Sequence, residues 1–230
     1  MEGFQNLNSS QNFDPNSLAN MTSTVIMFIA VNDVSPSIRS YATTMNTVAR
    51  EVFINDLKNS HRKDEIMVKA ITFCEKVEHK SGFMPILNVQ DDYFDVEPIG
   101  GGTALYQAVK EALVHAIAYR KDLEEQGIEV RTALFISTDG EDNSSPIGAA
   151  DDIKLMIEDL RRNEAWASSF TINMLGVGNP RYFEDACDEM GLDHTKCLVT
   201  VGNSASEIRK QMGVVSQSVS SGAGGPTVNF

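Results

Sequence analysis

The sequence predicts an α/β fold: a doubly wound, mostly parallel central sheet with helices on both faces and one antiparallel edge strand. Apolar, β-branched runs of strand length recur at 24–31, 65–73, 130–138 and 169–177, as expected of strands covered on both faces. Segments of helical periodicity separate them, so right-handed crossovers join successive strands. Gly, Ser, Asn and Asp gather where strand gives way to helix, which is where open parallel sheets bind ligands.

Taken in order, the first 22 residues are rich in Asn, Ser and Gln and lack both a basic start and an apolar stretch. They read as a flexible arm rather than a secretory signal. The strand at 24–31 leads to a helix whose apolar face is Ile38, Tyr41, Met45, Val48, Val52 and Leu57, at three- and four-residue spacing. After the strand at 65–73, the segment 77–89 contains Ser81, Gly82 and Pro85, which suit an edge hairpin. Gly100, Gly101 and Gly102 then lead to Thr103 and a long helix with Leu105, Ala108, Val109, Ala112, Leu113, Ala116 and Ile117 inward, stopping at Gly127. The strand at 130–138 ends in Thr138-Asp139-Gly140-Glu141-Asp142-Asn143, where carboxylates crowd together. Ser145-Pro146 and Gly148 introduce a helix with Ile153, Met156, Ile157 and Leu160 on one side. The strand at 169–177 is followed by a helix carrying Tyr182, Phe183, Ala186 and Met190. Past a short strand at 197–201, Ser204-x-x-Glu207 has capping-box spacing and opens a last helix through Ile208, Met212 and Val215. The folded unit is therefore 23–218, between an arm at 1–22 and a Ser- and Gly-rich tail at 219–230.

At 230 residues and 42% apolar, the chain can fill one sizeable core. A net charge of −13 without a Lys/Arg block longer than His61-Arg62-Lys63 argues against nucleic acid or an anionic membrane as partner. No run is long and apolar enough to span a bilayer. Cys74, Cys187 and Cys197 are odd in number and share no metal-ligand spacing, so the expected setting is a reduced, cytoplasmic one with the thiols acting as small hydrophobes. The glycosylation patterns at Asn8, Asn20 and Asn143 are then chance matches. His61, His79, His115 and His194 are scattered, Trp166 reads as a packing plug, and Glu141 and Asp142 as a solvated rim. Gly176-x-Gly178 lacks the third glycine of a dinucleotide site and reads as a turn.

Asp33-x-Ser35-x-Ser37, at the end of the first strand, offers a carboxylate and two hydroxyls at alternate positions, which suits a hard cation such as Mg²⁺. Each piece has an ordinary reading too: Asp and Ser cap helices, successive glycines make a tight turn, and Asp139-Gly140 is a turn pair. Yet Asp33, Ser35, Ser37, Thr103 and Asp139 all fall in loops that leave a strand's carboxyl end or enter the helix beyond it. In this order, over about 22–218, they resemble the metal-ion-dependent adhesion site (MIDAS) of von Willebrand factor A (vWA) domains. The resemblance implies that Ser35, Ser37 and Thr103 ligate a divalent ion directly, while Asp33 and Asp139 hold it mainly through waters and hydroxyls. Pro36, where that family usually has Gly, and Ile38, where Met is frequent, depart from the pattern; Pro36 stiffens the turn without removing an oxygen donor.

Neutral hydroxyl ligands leave such an ion under-neutralised, so it draws a carboxylate from outside. The expected function is a non-enzymatic, Mg²⁺-dependent protein-protein interaction domain, with Mn²⁺ or Ca²⁺ as alternative ions and a partner that supplies Asp or Glu. The layout is most similar to bacterial vWA proteins associated with tellurium resistance and related stress-response systems. One alternative is a Mg²⁺-dependent phosphatase or hydrolase with Asp33 as nucleophile, although Ser35 stands where the second carboxylate belongs and no Lys is evident for phosphate. Another is a structural assembly subunit with a degenerate metal site.

Overall fold

The computed structural model describes residues 12–201 and 204–221. In chain order the elements are α1 (Pro15–Ala19), β1 (Thr24–Asp33), α2 (Arg39–Ala49), α3 (Asp56–Lys58), β2 (Ile66–Phe73), β3 (Val77–His79) and β4 (Met84–Pro85). There follow α4 (Leu105–Glu125), β5 (Glu129–Thr138), α5 (Ala149–Arg162), α6 (Glu164–Ala167), β6 (Phe170–Val177), α7 (Pro180–Glu189), α8 (His194–Cys197), β7 (Leu198–Val201) and α9 (Ala205–Ser221).

β1 lies at the middle of a seven-stranded sheet of order β3-β2-β1-β5-β6-β7, with β4 also pairing β2. Its neighbours β2 and β5 run parallel to it, Ile26 opposite Ile66 and Val25 opposite Val130. β6 and β7 extend the parallel sheet beyond β5. The expected edge is present as two short antiparallel segments, β3 and β4, both against β2.

The unbroken apolar character of β1 follows from its position between two cores. Val25, Met27, Ile29 and Val31 face α4, α5 and α7 on one side, and Ile26, Phe28 and Ala30 face α2 and α9 on the other. Each such side chain taken fully from water contributes about 1.5–3 kcal/mol. On the α2 side, Phe53 is the hub of an aromatic cluster, 4.8 Å from Phe28, 5.7 Å from Phe94 and 5.2 Å from Phe135 between ring centroids.

Several elements differ from the sequence expectation. Residues 12–22 are anchored: Asp14 caps α1, Leu18 is buried in the core beside α4, and the Phe13 amide donates to the Phe83 carbonyl at 2.8 Å. The rest of the expected arm, including Asn8-Ser9-Ser10, lies outside the described residues. The first long helix is interrupted: a π-helical stretch over Arg50–Asn55 connects α2 to α3. The wider turn brings Val52, Phe53 and Ile54 all inward, which a 3.6-residue period does not allow. The Ser204 hydroxyl accepts from the Glu207 amide at 3.3 Å, and α9 continues to Ser221, three residues past the expected end of the folded unit. The remainder of the expected tail, 222–230, lies outside the described residues.

Candidate functional site

Because β1 and β5 are parallel neighbours, their carboxyl ends emerge side by side, and two hydrogen bonds lock them together. Ser137 Oγ donates to Asn32 Oδ1 at 2.8 Å, and Thr138 Oγ1 donates to Asp33 Oδ2 at 2.7 Å. The other oxygen of Asp33, which is only 2% exposed, accepts from the Ser35 amide at 2.7 Å. This bond folds the chain into a 3₁₀ turn over Pro36–Ile38 with Pro36 in its first position, where a missing N–H and a fixed φ are no liability. The turn sets Ser35 Oγ 2.9 Å from Ser37 Oγ, and Ser37 Oγ donates to Asp139 Oδ1 at 2.8 Å. Asp33, Ser35, Ser37 and Asp139 thus form one contiguous polar chain across two loops.

Thr103 arrives from a third loop. The Ile99 amide donates to the Val34 carbonyl at 2.7 Å and the Ala104 amide to the Cys74 carbonyl at 2.6 Å, tying that loop to the end of β1 and the residue beyond β2. Asn143 clamps Thr103 from the β5 side. Its Oδ1 accepts from the Thr103 amide at 2.7 Å, and its own amide donates to the Thr103 carbonyl at 2.9 Å. The approach is close enough to require a glycine: a Cβ on Gly102 would stand 2.4 Å from Asn143 Oδ1 and 2.1 Å from Ser144 Oγ. Gly101, at φ +121°, needs its conformational freedom as well. Thr103 Oγ1 lies 4.0 Å from where a Cβ of Gly140 would be. Thr103 is buried, and its hydroxyl makes no hydrogen bond to any described residue.

All five residues singled out in the sequence therefore collect at one lip of the sheet. Four helpers were not singled out as site residues. Thr138 and Asn143 act on Asp33 and Thr103 as described. Asp142 Oδ1 accepts from the Tyr106 amide at 3.2 Å and Ser145 Oγ from the Gln107 amide at 2.9 Å, so the first turn of α4 is capped from the loop after β5. Asp142 is a helix cap and not merely a solvated rim. Its sequence signal is only that Asp, Asn and Ser favour caps; that the capped helix lies 36 residues upstream is not written in any local pattern.

The two carboxyls sit in an uneasy environment. Burial pushes the Asp33 carboxyl above its ordinary range, against the lowering effect of its bonds to Thr138 and Ser35. Asp139 is also raised, by burial first and with the Asp33 charge adding to it, while the Ser37 bond works the other way. Neither forms an ion pair among the described residues. Three hydroxyls and two carboxylates are hard oxygen donors, a set that fits a divalent ion such as Mg²⁺. Among the described residues no group of three or more His, Cys, Asp or Glu could hold a metal, so this oxygen set has no nitrogen- or sulfur-rich rival there. No described helix is long and apolar enough to cross a membrane.

No family model and no curated protein matches the sequence, but solved structures do. Proximal thread matrix protein 1 from the mussel byssus, in a form with a zinc-occupied MIDAS motif, superposes with a TM-score of 0.57 at 17% identity, over 86% of this chain and 46% of that one. The pilus adhesin SpaC from Lactobacillus rhamnosus GG gives 0.63 at 11% identity, over 86% and 30%. A von Willebrand factor type A protein from Catenulispora acidiphila gives 0.50 at 13% identity, over 85% and 43%. The chain spans less than half the length of each of these structures. Identities this low speak to architecture alone, and the architecture is the von Willebrand factor A fold.

Proposed function

We propose that this domain binds other proteins through a divalent cation of the Mg²⁺ type, with Mn²⁺ or Ca²⁺ as alternatives. Ser35, Ser37 and Thr103 would hold the ion directly, and Asp33 and Asp139 would secure it through waters and hydroxyls. When bound, the ion supplies a concentrated positive charge that accepts an Asp or Glu carboxylate from the partner. One observation carries this reading: Thr103 is a buried residue whose hydroxyl is uncommitted to any described residue, and it lies next to Gly140 at the end of the Ser35-Ser37-Asp139 chain of contacts. With a net charge of −13, the chain repels an acidic partner at long range, but physiological salt screens that field beyond about 8 Å and leaves local contact with the ion decisive.

Asp33 as a phosphatase nucleophile is the weaker reading, because both its oxygens are engaged by Ser35 and Thr138. A narrower form of the main reading, a cytoplasmic role in a bacterial stress system of the tellurium-resistance type, is supported by the short acidic domain and the Ser-rich end. The test is calorimetric titration of the purified chain with Mg²⁺ and Mn²⁺, alongside Asp33→Ala, followed by capture of native partners with and without chelator. Ion binding by the wild type, its loss in Asp33→Ala, and release of partners by chelator are expected. Wild-type protein that takes up no divalent ion, or partners indifferent to chelation, would sink the reading.

A further inference from the structure

We propose that Cys187 and Cys197 are a modification site: an intramolecular dithiol that a hydroperoxide converts to a disulfide, strapping α7 to the β7 edge of the sheet. The two sulfurs lie 3.9 Å apart, brought together from α7 and from the last residue of α8. Both belong to the core on the α4 side of the sheet, whereas Cys74 lies in the core on the opposite side. The sheet therefore separates Cys74 from the pair and leaves one pairing available.

A disulfide requires sulfurs about 2.05 Å apart, so the pair must close by roughly 2 Å. The structure has slack where it is needed. α8 is a single four-residue turn, β7 pairs with β6 alone among the described residues, and Val199 on it is exposed. Edge elements of this kind open locally more readily than central ones, which gives the oxidant a route to Cys197. Among the described residues the Cys197 thiol hydrogen-bonds only to the Asp193 carbonyl, at 3.1 Å, besides Cys187, and a thiol is a weak donor.

The chemistry balances in two steps. The Cys197 thiolate attacks one oxygen of the hydroperoxide, forming a sulfenic acid as the O–O bond breaks and the other oxygen leaves as alcohol or water. The Cys187 sulfur then attacks the Cys197 sulfur, and the displaced hydroxide takes up the Cys187 proton to leave as water. Two electrons pass from the sulfurs to the peroxide, and a dithiol reductant reverses the change.

The experiment exposes the full-length, reduced protein to hydrogen peroxide under native conditions, then unfolds it, counts free thiols and maps the peptides. The count should fall from three to one, with Cys187 joined to Cys197, Cys74 free, and full recovery after dithiothreitol. The oxidised protein should melt about 5 °C higher. Cys197→Ser should keep both of its remaining thiols through the same treatment. Three thiols surviving in the wild type, a bridge that includes Cys74, or Cys197 oxidised without a bridge to Cys187 would each overturn the proposal.

Discussion

Thr103 and Asp33 occupy the same lip of the sheet but spend their polar atoms differently, and that difference separates ion binding from folding. Asp33 supports the turn itself, since removing its carboxylate strands the Ser35 amide and the Thr138 hydroxyl. Buried groups left without partners cost about 1–3 kcal/mol each, so Asp33→Ala should lose stability as well as ion. Thr103 has no such duty, because its hydroxyl bonds to no described residue. Thr103→Val, which exchanges that hydroxyl for a methyl, should leave unfolding in urea unchanged within about 0.5 kcal/mol while weakening Mg²⁺ binding by about tenfold or more. Unchanged ion affinity in a folded Thr103→Val would remove Thr103 from the site. The five candidate residues were legible in the sequence because Asp33, Ser35, Ser37 and Asp139 follow strand ends and Thr103 enters a long helix behind three glycines. Thr138 and Asn143 were not, because their roles depend on which loops lie side by side: the register between β1 and β5 sets Thr138 beside Asp33, and the loop before α4 brings Thr103 to Asn143.

Among the elements, the helix after β1 shows most directly what periodicity can and cannot reveal. Its inner face was readable from Tyr41 to Val48, where the backbone is regular, and Ile38, Val52 and Leu57 on either side are buried as expected too. Beyond Ala49 the π-helical stretch adds a residue to the turn, so Phe53 and Ile54 are buried together with Val52. The reason for tolerating this irregular geometry lies 164 residues downstream. Ser216 on α9 donates its hydroxyl to the Val52 carbonyl at 2.8 Å within the core, at a point where the π stretch has altered the regular ladder of backbone bonds. Ser216→Ala should therefore cost about 1 kcal/mol, a fall in Tm of about 2–4 °C, although Ala is the better helix former. A variant as stable as wild type would mean that the Val52 carbonyl is satisfied in another way. α1 escaped the sequence reading for a related reason: a single anchoring residue, Leu18, is hidden among Asn and Ser, and its burial depends on the distant helix α4.

At the scale of the whole molecule, stability depends on pH through a cluster on the opposite edge, where β2, β3 and α4 meet. His79 and His115, 36 residues apart in the chain, stack with ring centroids 4.6 Å apart, and His79 Nε2 is 2.7 Å from Glu111 Oε2. Beside them Lys69 is 1% exposed, its ammonium donating to the Ser81 carbonyl at 2.6 Å and lying 5.8 Å from the centroid of the Phe83 ring. Burial pulls Lys69 down to about 8 from its ordinary 10.5, against the raising effect of Glu111. Burial, with Lys69 and His79 adding, pulls His115 down to about 4. Between pH 8 and 10.5 the unfolded chain therefore holds a proton on Lys69 that the folded chain has released. The Lys69 contribution to stability rises with pH across that window, and the penalty for burying the charge is present in full below it. The rise attributable to Lys69 is on the order of 3 kcal/mol. Lys69→Met, close in shape and unable to carry charge, should be more stable than wild type in urea at pH 7.5, with the gap shrinking as pH approaches 10.5. Comparing the two proteins at each pH cancels the tyrosines and other lysines that titrate in the same range. Parallel stability profiles would show instead that the Lys69 ammonium is compensated where it lies, by Ser81 and Glu111 acting together.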